Sequence, residues 1–350
     1  MELTEILQES VKANASDVFF IVGQPISFKI DGVITKMYEE RLTAEDTEQY
    51  VVRMYELCKR EFPSGNEGDD DFALSIASTG RFRINVFKQR GTWGAVLRVV
   101  AFELPDVNEM RIPSAVLDLS KKQKGLILVT GSAGSGKSTT LSYILDEINK
   151  NRNCHILTLE DPIEFLHKHK QSIVSQREIS IDSVSYSRAL KAAMRESPDV
   201  ILIGEMRDLE TIEIAMTAAE TGHLVLSTLH TVGAANTIDR VVDVFPPNQQ
   251  QQIRIQLSMV LQSIVSQQLL PSEKMGQVPA FEILMANSAI KTMIRDGKVH
   301  QIDTVIHSSR KENMKSMDDS ILELYQEGLI DRETALTYGM NVEALKRNLV

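Results

Sequence analysis

Residues 125–149 read GLILVTGSAGSGKSTTLSYILDEIN and contain the complete pattern GxxxxGK[ST] between Gly131 and Ser138. An apolar run precedes this pattern and an amphipathic run follows it, so the sequence predicts a strand, a loop and a helix in that order. Glycines in such a loop let successive backbone N–H groups point at phosphate oxygens, and the helix start adds the positive end of its dipole. The segment therefore predicts a nucleotide-binding site, and a glycine-rich turn without a ligand is the alternative.

The side chains of this loop have predicted roles in binding ATP and Mg²⁺. Lys137 is expected to reach the β- and γ-phosphates, and the Ser138 hydroxyl is expected to ligate Mg²⁺. The residues predicted to contact the nucleotide form one continuous run, namely Gly131, Ser132, Ala133, Gly134, Ser135, Gly136, Lys137, Ser138 and Thr139.

Around the loop, apolar strand-like runs alternate with amphipathic helical runs. The predicted strands are Leu126–Thr130, His155–Leu159, Val200–Ile203 and Leu224–Ser227, and the predicted helices are Ser138–Asn149, Ser187–Glu196 and Leu209–Thr221. This alternation predicts an α/β fold with a mostly parallel sheet covered on both faces. From about Gln249 the chain is predicted to be mostly helical, with apolar packing positions at Ile253, Leu257, Leu261 and Ile264.

The first 100 residues follow a different pattern. Short strand-like runs are punctuated by turns, and Thr43 is a predicted N-cap for a helix that extends to about Arg60. Because strands and helices do not alternate regularly, we predict a small α+β domain over residues 1–100. Residues 101–114 contain Pro105 and Pro113 and are predicted to be a linker, so that residues 115–350 form the P-loop domain with its helical C-terminal region.

Carboxylates follow two of the predicted strands. Glu160, Asp161 and Glu164 come after the run HILTL, and Glu205 comes after the run VILIG. Ligands bind at strand ends in open α/β sheets, so these groups are candidates to orient water or to hold a metal ion. Gly204 stands where a nucleotide hydrolase commonly has an aspartate, so both duties are predicted to be divided between Glu205 and the 160–164 cluster. For Glu160 and Asp161, a role in a turn or a cap is the alternative.

Two histidines flank the predicted strand LVLSTL. His223 precedes it and His230 follows it, so His230 could lie close to the γ-phosphate. A two-histidine metal site is the alternative, although no third ligand stands at the usual spacing.

Three arginines lie on predicted strands of the first domain. Arg81 and Arg83 are two residues apart on one strand and therefore share a face, and Arg98 lies on the next strand. They are candidate arginine fingers if this domain meets the nucleotide of a neighbouring subunit. The alternative is a set of surface salt bridges to the acidic loop at residues 67–71.

The composition is that of an ordinary globular protein, with 350 residues of which 43% are hydrophobic and 25% are charged. The net charge of −10 argues against nucleic acid as a direct partner. Cys58 and Cys154 are too far apart to form a cysteine zinc site or a disulfide framework, which fits a reducing compartment. We find no signal-peptide pattern and no apolar run of the roughly 18 residues that a membrane span needs, so a cytoplasmic location is expected.

Together, these motifs resemble those of the type IV pilus retraction ATPases, the PilT family of secretion-type ATPases. The resemblance runs nearly end to end and rests on five segments. They are the Walker A loop Gly131–Ser138, ILTLEDPIEF at Ile156–Phe165 (the Asp box), PDVILIGEMRDLET at Pro198–Thr211 (an atypical Walker B), TAAETGHLVLSTLHT at Thr217–Thr231 (the His box), and IDRVVDVFPP at Ile238–Pro247.

The resemblance implies an N-terminal PAS-like domain, a C-terminal RecA-like P-loop domain and a homo-hexameric ring. It implies that the ATP site lies between domains and subunits. Glu205 and Glu164 would be the acidic active-site residues, His230 a phosphate-side residue, and Arg81, Arg83 and Arg98 the fingers that act in trans. It further implies an inner-membrane platform protein as partner, with the chain held at the inner face of the cell membrane through the pilus machine.

Two segments depart from the family pattern. The C-terminal AIRNLIRE segment is AIKTMIRD here, at Ala289–Asp296, and Phe19 stands where the family has a histidine near the N-terminus. Since the first of these segments is tied to retraction in the family, ATPase activity is the firmer expectation. Other secretion-type ring ATPases that move pilins, protein or DNA are one alternative, and an ATP-gated regulatory module with little turnover is another.

Overall fold

The computed structural model describes residues 2–30, 32–63, 68–76, 79–100, 104–107, 110–309 and 312–349. Its contacts divide the chain into two compact units. The first comprises Met1–Glu103 and Glu164–Leu166, and the second comprises Leu104–Ile163 and His167–Val350. Within the predicted linker, residues 101–103 and 108–109 lie outside the described residues, as does residue 67 of the predicted acidic loop.

The first unit is an antiparallel sheet of six strands in the order β3-β2-β1-β6-β5-β4 with two helices. Its elements are α1 (Leu3–Lys12), β1 (Asp17–Phe20), β2 (Ser27–Ile30), β3 (Val33–Lys36), α2 (Ala44–Leu57), β4 (Asp70–Ile76), β5 (Gly80–Gln89) and β6 (Thr92–Val100). Thr43 caps α2 by accepting a hydrogen bond from the backbone N–H of Asp46, as the sequence predicts. The α+β prediction for this part of the chain is confirmed.

The second unit is built around a sheet of seven strands in the order β13-β12-β7-β11-β10-β8-β9. Its elements begin with α3 (Ser114–Leu117), β7 (Gly125–Thr130), α4 (Lys137–Asn151), β8 (His155–Glu160), β9 (Ile173–Glu178), α5 (Tyr186–Ala193), β10 (Val200–Ile203), α6 (Leu209–Glu220), β11 (Leu224–Leu229) and α7 (Ala234–Asp243). They continue with α8 (Pro247–Val260), β12 (Leu261–Ser272), β13 (Gly276–Met285), α9 (Ser288–Arg295), α10 (Ile302–Ser308), α11 (Met317–Gln326), α12 (Arg332–Tyr338) and α13 (Val342–Asn348).

Strands β7 to β12 of this sheet run parallel to their neighbours, and β13 pairs antiparallel to β12. Every residue of β7 is buried, and its side chains pack alternately into two different apolar clusters. Leu126 and Leu128 belong to one cluster, and Ile127 and Val129 belong to the other. The sheet is therefore covered on both faces, and the predicted RecA-like α/β architecture is confirmed.

The prediction that the chain is mostly helical beyond Gln249 is wrong for residues 261–285. Ile253 and Leu257 lie on α8 as expected, but Leu261 and Ile264 lie on β12, which forms a hairpin with β13. The apolar positions continue at a spacing close to that of a helix, so the sequence does not reveal the change from helix to strand. Pairing of β12 with β7 decides the outcome, because β-structure depends on neighbouring strands more than on local propensity.

Within the described ranges, no helix is both long enough and apolar enough to cross a membrane.

The strand assignment of β12 predicts different effects for two isoleucines. Ile264 on β12 is completely buried, whereas Ile255 on α8 is 40% exposed. We expect Ile264→Ala to lower the free energy of unfolding by about 2–5 kcal/mol, because it removes buried apolar contacts and leaves a cavity. Ile255→Ala should change it by less than about 0.5 kcal/mol. Denaturant unfolding of both variants measures this, and equal losses would contradict the placement.

Candidate nucleotide-binding site

The GxxxxGK[ST] pattern forms the predicted loop between β7 and α4. Three of its glycines have positive φ angles, 143° at Gly131, 75° at Gly134 and 87° at Gly136. Gly136 is the N-cap of α4 in the left-handed conformation, which glycine adopts without steric cost. The sequence therefore supplies glycine where the backbone must turn sharply to present its amides ahead of the helix.

Two of these glycines also face the neighbouring strand β12 at very short range. A Cβ atom at Gly131 would lie 2.2 Å from the backbone oxygen of Gln267, and one at Gly136 would lie 2.8 Å from the Gln267 side-chain nitrogen. Backbone atoms cannot yield to such contacts, so Gly131 is required by packing as well as by its φ angle.

Lys137 lies against the loop itself. Its side chain is largely buried, and Nζ donates hydrogen bonds to the carbonyl oxygens of Gly131 at 3.0 Å and Ser132 at 2.7 Å. Its positive charge is therefore held beside the backbone amides of the predicted phosphate cradle, where an anion would be stabilised.

Ser135 places a buried hydroxyl inside the predicted cradle. Its side chain is 2% exposed, and among the described residues its buried Oγ has no hydrogen-bond partner. A buried hydroxyl without a partner is costly, and such a group is expected to have one in the working protein. A phosphate oxygen would supply that partner, so the loop fits the predicted nucleotide. The remaining tip residues Ser132, Ala133 and Gly134 are exposed, and Ser138 and Thr139 are partly buried.

Glu205 lies just beyond the carboxyl end of β10, next to His230. Its side chain is 15% exposed, and its Oε2 lies 3.3 Å from Nε2 of His230. Its Oε1 lies 2.7 Å from Nε of Arg207 in an ion pair. The structure thus brings together two residues that the sequence singled out, and it adds Arg207, which sequence reasoning missed.

Strand register explains why Glu205 and His230 meet. Parallel pairing of β10 with β11 aligns the carboxyl ends of the two strands. Thr228 on β11 then fixes the turn after β10, because its hydroxyl donates to the Gly204 carbonyl at 2.5 Å and its own carbonyl accepts from the Met206 N–H at 3.2 Å. A cavity of about 440 Å³ opens here, lined by Glu205, Met206, Arg207, Thr228, Leu229, His230, Thr231, Arg240 and Val244.

The same register places the phosphate loop beside His230. Thr130 at the end of β7 pairs with Leu229 at the end of β11, and the N–H of Gly131 donates to the Leu229 carbonyl at 3.3 Å. The first residue of the loop is therefore bonded to the residue that precedes His230. Both segments belong to one edge of the sheet, where open α/β sheets bind their ligands.

Tyr186, the first residue of α5, is another residue that sequence reasoning missed. A Cβ atom at Gly204 would lie 2.8 Å from its hydroxyl oxygen, so the phenol fills the space beside that glycine. Burial raises the pKa of Tyr186, and the nearby carboxylates of Glu205, Asp161 and Glu160 raise it further. The phenol therefore stays protonated and can donate a hydrogen bond in this acidic surrounding. An aromatic residue at a helix start gives no sequence signal for such a role.

The remaining carboxylates of the 160–164 cluster have separate environments. Oε1 of Glu160, the last residue of β8, accepts hydrogen bonds from Thr158 at 2.6 Å and Gln176 at 3.2 Å. Asp161 is exposed in a bend rather than at a helix start. Glu164 belongs to the first compact unit, whereas Glu205 belongs to the second. A shared action of Glu164 and Glu205 stays a prediction.

The alternative of a two-histidine metal site is not supported by the geometry. His223 precedes β11, where its Nδ1 lies 3.0 Å from the Ala218 carbonyl oxygen, and His230 follows the strand. A strand of this length separates its ends by roughly 20 Å, which is too far for one metal ion. In the part of the chain that the structure describes, no group of three or more His, Cys, Asp or Glu side chains could hold a metal.

The candidate arginine fingers lie on adjacent strands of the first unit. Arg83 on β5 pairs in register with Arg98 on β6, and Arg83 is exposed. Nε of Arg98 lies 3.1 Å from Oδ1 of Asp17, and Arg81 donates to the Ser75 hydroxyl at 3.3 Å. Arg98 thus pairs with Asp17 rather than with the predicted acidic loop. Action in trans stays a prediction.

Removal of the buried Ser135 hydroxyl is expected to have different effects on thermal stability and on ATP affinity. We expect Ser135→Ala to leave thermal stability unchanged or raised without ligand, because it removes a buried polar group whose cost is about 1–3 kcal/mol. Affinity for ATP should fall by about fivefold, the loss of one hydrogen bond worth about 1 kcal/mol. Calorimetry and thermal unfolding measure the two effects.

The matched control for Ser135→Ala is Ser142→Ala, which removes a buried serine hydroxyl from α4 outside the loop. It should leave ATP affinity unchanged. An unchanged affinity in Ser135→Ala would contradict a phosphate contact by this hydroxyl.

Three comparisons relate the chain to known proteins. The chain is 42% identical over 339 residues to the type IV pilus retractation ATPase PilT of Pseudomonas aeruginosa, covering 96% of this chain and 97% of the relative. It is 40% identical over 318 residues to a twitching motility protein of Neisseria gonorrhoeae, covering 91% and 85% of the two chains. A crystal structure of the pilus retraction motor PilT with bound ADP matches with a TM-score of 0.88 and 44% identity over 99% of each chain.

The family model described as type II/IV secretion system protein matches residues 1–332, nearly the whole sequence. The alignments with the two relatives also cover most of this chain and most of each relative. The chain therefore belongs to the type II/IV secretion system protein family.

Proposed function

We propose that this protein is an ATPase that powers the retraction of type IV pili. The observation that carries the proposal is the placement of Glu205 and His230 beside the start of the phosphate loop, at one edge of one sheet. Similarity to PilT of Pseudomonas aeruginosa and to the twitching motility protein of Neisseria gonorrhoeae supports the biological role. The PilT structure with bound ADP supports a nucleotide as the ligand of the loop.

In the proposed reaction, the loop binds the phosphates and Glu205 acts on water. The backbone amides of residues 131–138 and the Lys137 ammonium group hold the phosphate oxygens. Glu205 orients the attacking water and accepts its proton, while Arg207 and His230 fix the orientation of the carboxylate through its two oxygens.

The proposed reaction includes a magnesium ion near the phosphates. The Ser138 hydroxyl would bind it directly, and Glu205 would bind it partly through water. Mg²⁺ accepts such oxygen ligands and usually combines one or two protein groups with phosphates and waters. When bound, it would neutralise charge on the phosphate oxygens.

The motor would act as a homo-hexameric ring at the inner face of the cell membrane. In this arrangement, Arg81, Arg83 or Arg98 of one subunit would stabilise the transition state on the nucleotide of its neighbour. Hydrolysis would change how the two compact units are arranged, and the ring would pass that motion to an inner-membrane platform protein. Glu164 would add a second carboxylate to each site.

The role of Glu205 predicts a separation of binding from hydrolysis. We expect Glu205→Gln to lower the rate of ATP hydrolysis by roughly 10²–10⁴, because the amide cannot accept the proton from water. ATP affinity should change little, since the loop is intact. Phosphate release and calorimetry measure the two quantities, and Glu213→Gln on the exposed side of α6 is the matched control.

In cells that carry labelled pili, Glu205→Gln should prevent shortening, and Glu213→Gln should support it. Near-normal ATP turnover by Glu205→Gln would exclude the proposed mechanism. Loss of ATP hydrolysis with normal pilus shortening would exclude the proposed biological role.

Action of Arg81 in trans predicts rescue between two inactive variants. Arg81→Ala subunits keep an intact phosphate loop, and Lys137→Ala subunits keep an intact arginine. In mixed rings, some intact loops receive the arginine of a Lys137→Ala neighbour, so turnover should exceed the sum of the separate variants. A finger contributes roughly 10³–10⁵ in rate, which makes even partial rescue measurable.

Mixtures of Arg53→Ala with Lys137→Ala are the control for rescue, because Arg53 lies exposed on α2 in an ion pair with Glu56. These mixtures should show turnover in simple proportion to the active subunits. Failure of Arg81→Ala to be rescued at any mixing ratio would argue against action of this arginine in trans.

A further inference from the structure

Two adjacent residues of β12, Ser266 and Gln267, point to opposite faces of the sheet at the level of the candidate site. Ser266 is completely buried and Gln267 is 2% exposed. Ser266 pairs in register with Thr130, the last residue of β7 before the phosphate loop. Consecutive polar residues in the interior of a sheet are costly unless their hydrogen bonds are made, so each is expected to have a specific partner.

Gln267 contacts the phosphate loop and its helix. Its Oε1 accepts a hydrogen bond from the hydroxyl of Thr140 on α4 at 2.7 Å, and Thr140 is 1% exposed. Its backbone oxygen lies so close to Gly131 that this glycine could not carry a Cβ atom, and its side-chain nitrogen would lie 2.8 Å from a Cβ atom at Gly136. One residue of β12 therefore sets the position of the loop at both of its ends.

Ser266 contacts the segment that follows His230. Its Oγ accepts a hydrogen bond from the N–H of Gly233 at 2.9 Å. Glu282 on β13 pairs in register with Ser266 on β12. Its Oε1 accepts a hydrogen bond from the N–H of Ala234 at 2.7 Å. These two acceptors satisfy backbone donors at the start of α7, three and four residues beyond His230.

The hydrogen bond at Glu282 lies in a low-dielectric surrounding. Burial raises the pKa of the Glu282 carboxyl, and the hydrogen bond from the Ala234 N–H opposes that rise. Hydrogen bonds in such surroundings are strong and leave little room for alternative geometries. The start of α7 is therefore held firmly on the face of the sheet opposite to the phosphate loop contacts.

We propose that Ser266 and Gln267 are positioning residues which together set the spacing between the phosphate loop and residues 230–234, the His230 segment. The proposal rests on the proposed ATPase function and deepens it. Because the two residues are consecutive in a strand, the distance between their two partners is fixed by rigid backbone geometry rather than by a flexible loop. The hydrogen bond from the Gly131 N–H to the Leu229 carbonyl joins the phosphate loop directly to the residue before His230.

The two residues have different consequences for the reaction. Gln267 shapes the loop that holds the phosphates, so its loss weakens binding of ATP and ADP alike. Ser266 shapes the segment that carries His230, so its loss leaves ADP affinity intact and slows the hydrolysis step. A purely structural role would change thermal stability without this separation of binding from turnover.

The experiment compares Gln267→Leu and Ser266→Ala with the control Gln268→Leu. Gln268 is the next glutamine of β12, and its side chain bonds to the Tyr338 carbonyl away from the loop. We expect Gln267→Leu to weaken ATP and ADP binding by about tenfold, the loss of an anchoring hydrogen bond. Ser266→Ala should lower kcat by about tenfold with unchanged ADP affinity, and Gln268→Leu should change neither.

A double variant tests whether Gln267 acts through Thr140. Thr140→Val removes the donor, so Thr140→Val and Gln267→Leu together should weaken nucleotide binding no more than Gln267→Leu does alone. Additive losses would overturn the assigned contact. Circular dichroism and thermal unfolding of each variant show that the affinities are measured on folded protein.

The outcomes separate this proposal from the proposed function. If the unsubstituted protein binds and hydrolyses ATP and the Ser266 and Gln267 variants match it in affinity and kcat, the positioning roles are excluded and the ATPase function stands. Equal losses of affinity in all three variants, Gln268→Leu included, would also overturn the positioning roles. If the unsubstituted protein fails to bind ATP, the proposed function itself is excluded.

Discussion

The candidate site depends on the close approach of the Gln267 backbone oxygen to Gly131. At this distance a side chain on residue 131 is sterically impossible, so the loop after β7 must pack directly against β12. That contact fixes where the backbone amides of the loop lie and where α4 begins. Within the same loop, the buried Ser135 hydroxyl has no hydrogen-bond partner among the described residues, so it is available to a phosphate oxygen.

Parallel pairing then determines which side chains share the cradle. The register of β7, β10 and β11 brings the ends of three strands to one edge, so that Glu205 and His230 lie within 3.3 Å although 25 residues separate them. Thr228 holds the turn that carries the carboxylate, and Arg207 holds one of its oxygens. A single carboxylate is thereby contacted at both of its oxygens, which fits the general-base role that we propose for Glu205.

The glycine at position 204 also has a structural reason. A Cβ atom there would lie 2.8 Å from the Tyr186 hydroxyl oxygen, so an acidic side chain would fit only if the phenol moved. The phenol thus occupies the place where many nucleotide hydrolases carry an aspartate, and it remains protonated among carboxylates. Glycine at position 204 is therefore consistent with the way in which Tyr186 of α5 packs beside β10.

The sequence alone determined the loop from Gly131 to Ser138, the alternation of strands and helices around it, and the position of Glu205 at the end of a strand. These features could be predicted because glycine conformation, phosphate chemistry and hydrophobic periodicity are local properties of the sequence. Tertiary structure alone decided that residues 261–285 are strands, because their pairing with β7 overrides a helix-like spacing. It also decided the contacts of Arg207, Tyr186 and Gln267, which give no motif in the sequence. Contacts set by strand register cannot be predicted from local pattern, because the register exists only when the sheet is assembled.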